Sequence, residues 1–102
     1  MAHIVLEFDI ECFREPSKIY RFTINNIPDD HVTGLSKGDE IGFDLVESNE
    51  FFYVKVSRKV YLVGHQQPIY VICIPHNFSN EQEAKKMLDK FKIQFADDLA
   101  ID

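Results

Sequence analysis

The spacing of apolar residues changes once along this chain, and that change limits the folds that it can adopt. From residue 4 to residue 74, apolar and polar side chains alternate with a period of two, the spacing of β-strands with one buried face. After Phe78 the apolar spacing becomes three and four residues, which is that of an amphipathic helix. The pattern therefore predicts a sheet that is sheltered by one C-terminal helix.

Turn-forming residues divide the alternating region into strands. Pro, Gly, Asn and Asp cluster between the apolar segments, and these residues favour the backbone conformations of turns. Five strands are predicted, at about residues 3–12, 18–25, 39–46, 51–63 and 68–74.

Two of these strands have features that restrict their shape or their place in the sheet. The strand at 51–63 is longer than most, so we expect a bend or bulge near Ser57 to Lys59. The strand at 68–74 is apolar on both faces, which is typical of a strand that is covered on both sides. We therefore expect it to be central, beneath the helix or inside a closed barrel.

The C-terminal helix is predicted from about residue 80 to residue 97. Ser79 and Gln82 have the spacing of a capping box, in which each side chain bonds a backbone amide at the helix start. One apolar stripe would pack on the sheet, formed by Ala84, Met87, Leu88, Phe91, Phe95 and Leu99. The predicted fold class is α+β: an antiparallel, strongly curved five-stranded β-sheet, open or rolled into a partial barrel, packed against one C-terminal α-helix.

The size and composition of the chain are those of a single domain. It has 102 residues, and 45% of them are hydrophobic, which supplies a core without disulfides or metals. Cys12 and Cys73 each lie within an apolar alternation, so we expect buried, reduced thiols. Since no segment has the length of a membrane span and the first residues lack a secretory signal, a cytoplasmic protein is expected.

Sequence signatures of catalysis and of metal binding are missing from the chain. It contains no glycine-rich phosphate loop, no Cys-x-x-Cys pair and no nucleophile elbow. Four histidines lie far apart in sequence, without the spacing of metal ligands: His3, His31, His65 and His76. We therefore predict no catalytic residue, no metal and no cofactor. An enzyme would require the fold to gather one of these histidines with a carboxylate in one pocket.

Negative charge is concentrated in the first half of the chain. The net charge is −6, and residues 1–50 hold eleven Asp or Glu against four Lys or Arg. This charge disfavours binding to duplex nucleic acid, where basic side chains supply most of the affinity. The predicted partner-binding residues are Asp29, Asp30, Asp39, Glu40, Asp44, Glu47 and Glu50, with Lys37 as the one cation among them. This band would meet a protein with a basic surface, or it would simply keep a small domain soluble.

A second surface row suggests a different function. Tyr53, Lys55, Lys59 and Tyr61 alternate on the predicted outer face of one strand, as aromatic and basic residues do in proteins that bind single-stranded nucleic acid. Pairing of these lysines with carboxylates on neighbouring strands would explain them equally well. The leading hypothesis is a non-enzymatic adaptor or inhibitor with an acidic binding surface, and the alternative is a single-stranded nucleic-acid-binding module. A homodimer formed through an exposed edge strand also stays open.

Overall fold

The computed structural model describes residues 1–10, 18–66 and 68–101. The strands are β1 (Ala2–Ile10), β2 (Lys18–Ile27), β3 (Glu40–Leu45), β4 (Glu50–Val60), β5 (Tyr70–Cys73), β6 (His76–Phe78) and β7 (Leu99–Ile101). The helices are the short α1 (Asp29–Val32) and the long α2 (Glu81–Gln94), and a 3-10 turn covers Val46–Ser48. Within the described ranges, no helix has the length and apolar character needed to cross a membrane.

The strands form one mixed sheet that curls strongly into a half-barrel. Their order is β3-β4-β5-β1-β2-β7, and β6 also pairs with β1. Both β5 and β6 run parallel to β1, whereas the other neighbouring pairs are antiparallel. The α+β class, the strong curvature and the covering helix are confirmed, but the prediction of a purely antiparallel, five-stranded sheet is wrong. The two strands that it lacked, β6 and β7, have three residues each and are too short to show a period.

The predicted strands agree with the structure where one face of the strand is buried. Burial alternates strictly along β1, with the even-numbered side chains in the core. A register shift between Val56 and Arg58 confirms the predicted bulge, and β4 ends at Val60 rather than at residue 63. Residues 11 and 12, which we assigned to the first strand, lie outside the described residues.

The strand that is apolar on both faces is central, as predicted, but only one of its faces is buried. β5 lies between β4 and β1. Its Val71 and Cys73 are in the core, whereas Tyr70 is exposed on the outer face. There the Tyr70 ring packs against the ring of His3 from β1, at a centroid distance of 5.1 Å. The second apolar face is therefore explained by contacts between neighbouring strands instead of by a covering layer.

The long helix begins one residue later than the sequence predicts. Asn80, and not Ser79, is the N-cap, since its side chain accepts a hydrogen bond from the Glu83 amide at 2.9 Å. The Ser79 hydroxyl instead donates to the Glu83 carboxylate at 3.1 Å. The helix ends at Gln94, so Leu99 belongs to β7 and not to the helical stripe.

Aromatic rings from both layers form the centre of the core. Phe91 of α2 is fully buried and lies between 5.2 and 6.0 Å from the rings of Phe8, Phe22, Phe43 and Phe52, measured between centroids. These four residues come from four different strands, so one helical side chain contacts most of the width of the sheet. Edge-to-face ring pairs add to the free energy gained from burying the apolar area.

We predict that Phe91→Ala lowers the free energy of unfolding by about 3–5 kcal/mol, because it leaves a cavity where four strands meet the helix. Urea unfolding followed by circular dichroism measures this change. Ile93→Ala is the matched control, since Ile93 lies on the same helix but is 59% exposed, and its effect should stay within about 0.5 kcal/mol. A loss below about 1 kcal/mol for Phe91→Ala would contradict the described core.

Candidate functional site

The seven predicted acidic residues lie on five different segments rather than in one cluster. Asp29 and Asp30 are in α1, and Asp39 is in the turn before β3. Two more, Glu40 and Asp44, project from the outer face of β3, where both are exposed. The remaining two, Glu47 and Glu50, belong to the connection between β3 and β4 and to the start of β4.

Three of these carboxylates already have partners within the protein. Asp29 accepts the N-terminal amine of Met1 at 3.1 Å. The Asp39 carboxylate accepts the Ser36 amide at 2.8 Å and so stabilises its own turn. Glu50 binds the Lys90 ammonium of α2 at 2.8 Å. A binding partner would have to compete with each of these interactions.

The other four carboxylates are exposed, and none has a cationic partner among the described residues. In the part of the chain that the structure describes, no Lys, Arg or His forms an ion pair with Asp30, Glu40, Asp44 or Glu47. Glu40 and Asp44 lie four residues apart on the same face of a strand, which separates them by about 13 Å. Their spacing therefore matches two side chains that are four residues apart on a neighbouring extended chain.

β3 is an edge strand. The hydrogen bonds made by its neighbour β4 show which backbone groups of β3 have no partner strand. The Lys55 carbonyl accepts the Ile74 amide at 2.8 Å and therefore points away from β3. The next amide, that of Val56, donates to the Asp39 carbonyl at 2.8 Å and therefore points towards β3. Because backbone direction alternates along an antiparallel pair, the even-numbered residues of β4 bond to β3.

The strand register then identifies the unpaired groups on β3. Ile41 lies opposite Val54, and Phe43 lies opposite Phe52, so the backbone groups of Ile41 and Phe43 bond to β4. By the same alternation, three residues of β3 present their amides and carbonyls to the free edge of the sheet, which is the edge opposite β4: Glu40, Gly42 and Asp44.

A cleft of about 470 Å³ runs along this free edge. All five residues 40–44 line it, and because successive side chains face opposite sides of a sheet, the cleft follows the strand edge. Apolar side chains from β1, β2, the α1–β3 loop and the segment after α2 form its other wall: Ile4, Ile27, Leu35 and Phe95. His31 also lines the cleft, and none of the hydrogen bonds or ion pairs of the described residues joins it to Glu40 or Asp44.

A smaller cleft of about 230 Å³ lies between the β3–β4 connection and α2. Its lining includes Glu47 and Lys90, which carry opposite charges, together with the apolar Leu45 and Ile93. Among the described residues, its one cation, Lys90, is already bound to Glu50, and this cleft lacks a free strand edge.

The aromatic and basic row of β4 is divided by the bulge. Before the bulge, Tyr53 and Lys55 are paired with Gly42 and Glu40 of β3 and lie on the outer face. After it, Lys59 is paired with the buried Val71 and so lies on the face that carries the core.

Tyr61 follows the end of β4, and its ring centroid is 5.7 Å from the Lys59 ammonium. A shift of one residue moves all later side chains to the opposite face. The structure therefore brings Tyr53 together with Lys55 and Lys59 together with Tyr61, but it does not bring the four into one row.

The histidines and the described cysteine occupy separate environments. No group of three or more His, Cys, Asp or Glu with metal-binding geometry occurs in residues 1–10, 18–66 and 68–101. His76 packs against Phe52 at a centroid distance of 4.8 Å, and its burial lowers the pKa of the imidazole. Cys73 is buried as predicted, and burial raises the pKa of its thiol to about 12. Cys12 lies outside the described residues.

Sequence reasoning missed the cleft because its walls come from distant segments. Ile27, Leu35 and Phe95 are separated by many residues, and no local pattern indicates that they face the same strand edge. Only the exposed edge itself was anticipated, as a general property of open sheets. Comparisons of the chain with protein families, curated proteins and solved structures give no match.

We predict that Cys73 is unreactive in the folded protein, because at about pH 8 a thiol with a pKa of about 12 is ionised in roughly one molecule in ten thousand. A Cys12→Ser variant leaves Cys73 as the single thiol for titration with Ellman's reagent. Labelling should be at least about 100-fold slower in native buffer than in denaturing guanidinium chloride. Equal rates under the two conditions would contradict the described burial.

Proposed function

We propose that the protein is a non-enzymatic interaction module, an adaptor or inhibitor, whose acidic surface in residues 29–50 binds a protein partner with a basic surface. The observation that supports it is the apolar cleft along β3, which is lined by the exposed and unpaired Glu40 and Asp44. We call Glu40 and Asp44 the acidic edge. A cytoplasmic location belongs to the same proposal.

The combination of an apolar cleft and an acidic edge suits recognition of a basic protein. Binding energy at protein interfaces comes mainly from a few apolar contacts that become fully desolvated, while charges at the rim speed association and select the partner. Carboxylates that lack an internal partner can offer their whole charge to an incoming Lys or Arg. Asp44 meets this condition, and Glu40 forms no ion pair among the described residues, although Lys55 lies opposite it in the register. Asp29 and Glu50 are already bound within the protein.

A solvated acidic surface would explain why these residues are charged, but it would not explain why they lie beside an apolar cleft. Carboxylates that serve only solubility need no apolar neighbour, yet Glu40 and Asp44 lie on the edge strand that borders the cleft, with Ile41 and Phe43 on its core side. The alternative function, binding to single-stranded nucleic acid, retains Tyr53 and Lys55 on the outer face. Lys55 lies directly opposite Glu40 in the register, and that carboxylate would weaken its attraction for phosphate.

We predict that neutralising the acidic edge abolishes partner binding. Tagged wild-type protein is compared with Glu40→Gln/Asp44→Asn in quantitative co-purification from the native host. The matched control is Glu83→Gln/Asp89→Asn, which removes the same charge from exposed positions on α2. Wild type and control should retain one basic protein that the acidic-edge variant loses, and retention should fall as salt increases.

Two outcomes would contradict this proposal. Equal retention of the partner by the acidic-edge variant would show that these carboxylates do not form the interface. Tight, salt-sensitive binding of a fluorescent single-stranded oligonucleotide, lost in Tyr53→Ala, would instead support the nucleic-acid function.

A further inference from the structure

We propose that the partner of this protein binds as an added β-strand, in antiparallel orientation along the free edge of β3. This inference rests on the proposed function, since it specifies how a basic partner engages the acidic edge. Strand addition to an exposed sheet edge is a common mode of peptide recognition, in which main-chain hydrogen bonds supply affinity and alternate side-chain contacts supply specificity.

The edge of β3 carries a regular set of backbone groups that no described strand pairs. Glu40, Gly42 and Asp44 direct three amides and three carbonyls away from β4, as the register requires. An antiparallel strand of five residues would pair all six groups. Antiparallel pairing is also slightly more stable per residue than parallel pairing, which favours this orientation.

The cleft beside that edge can accept side chains of an added strand. In an added strand, the residues opposite Ile41 and Phe43 would point to the core side, as those two side chains do. They would enter the cleft of about 470 Å³, against Ile27, Leu35 and Phe95. That wall is apolar, so the partner should carry apolar residues at these two positions.

Charge identifies the kind of strand that fits. The residues opposite Glu40 and Asp44 would lie on the outer face, four positions apart in the partner, and should be Lys or Arg. A second copy of this chain is a poorer occupant. If the β3 strands of two copies paired antiparallel with their Gly42 residues opposite each other, Glu40 of each copy would lie directly opposite Asp44 of the other. Like charges in directly opposed positions destabilise a strand pair.

The other edge of the sheet offers less for such a partner. β7 has three residues, which allows fewer hydrogen bonds than β3 with six. Asp98, which directly precedes this strand, already accepts a hydrogen bond from the Asn26 side-chain amide at 2.8 Å. The observations therefore favour β3.

The resulting pattern is a basic residue, an apolar residue, any residue, an apolar residue and a basic residue. A capped peptide with the core Lys-Val-Thr-Val-Lys, flanked by glycines, contains this pattern and serves as the probe. Binding to the full-length protein is followed by nuclear magnetic resonance, through the amide shifts of the isotope-labelled protein. The largest shifts are expected at Glu40, Gly42 and Asp44.

Methylation of single peptide amides separates strand addition from simple charge attraction. In the proposed pairing the amide of the central Thr faces β3, whereas the amide of either Val faces away. N-methylation at Thr should therefore weaken binding about tenfold, and N-methylation at Val by less than about twofold. The acidic-edge variant Glu40→Gln/Asp44→Asn should weaken binding of the unmodified peptide by about tenfold.

Several results would overturn strand addition, and they leave the proposed function to its own test. If both methylated peptides bind as well as the parent, or if the largest shifts lie outside β3, the peptide is held by charge alone. If no peptide binds at millimolar concentration, the edge does not accept a strand. In either case, loss of a basic partner by Glu40→Gln/Asp44→Asn in co-purification would still support an acidic interface. Failure of that co-purification would remove the proposed function itself.

Discussion

The contact of Phe91 with the concave face of the sheet determines much of what this protein presents to its surroundings. The ring lies 5.2 Å from that of Phe43 and 6.0 Å from that of Phe8, so it joins the edge strand β3 to the central strand β1. With Phe43 fixed inward, the side chains of Glu40 and Asp44 face outward. One helix fills the half-barrel without closing it, and no strand of the described ranges pairs with the outer edge of β3.

The parts of the fold that could be predicted are those in which one face of an element is buried. β1 shows this best, since Leu6 and Phe8 are in the core while Glu7 is only partly buried. Strand order was not predictable in this way, because the parallel pairing of β5 with β1 depends on contacts between residues about 67 apart in sequence, as for Ile4 and Val71. Such contacts leave no local pattern.

The bulge in β4 was predicted correctly, but its effect on the direction of the later side chains was not. The length of β4 predicted an irregularity near Ser57, and the register shift confirms it. That shift also turns Lys59 towards the core face, which separates it from Lys55. In the candidate site, the carboxylates were visible in the sequence, but their partners were not. Whether an acidic residue is available for binding depends on cations such as Lys90, forty residues away from Glu50.

Amide hydrogen exchange along β3 tests the free edge most directly, because the unpaired groups alternate with paired ones along a single strand. We expect slow exchange for Ile41 and Phe43, whose amides bond to β4, and fast exchange for Glu40, Gly42 and Asp44. Nuclear magnetic resonance can measure each amide in the unbound protein. Equal protection along residues 40–44 would mean that the edge is already covered, and it would contradict both the described sheet and the site proposed on it.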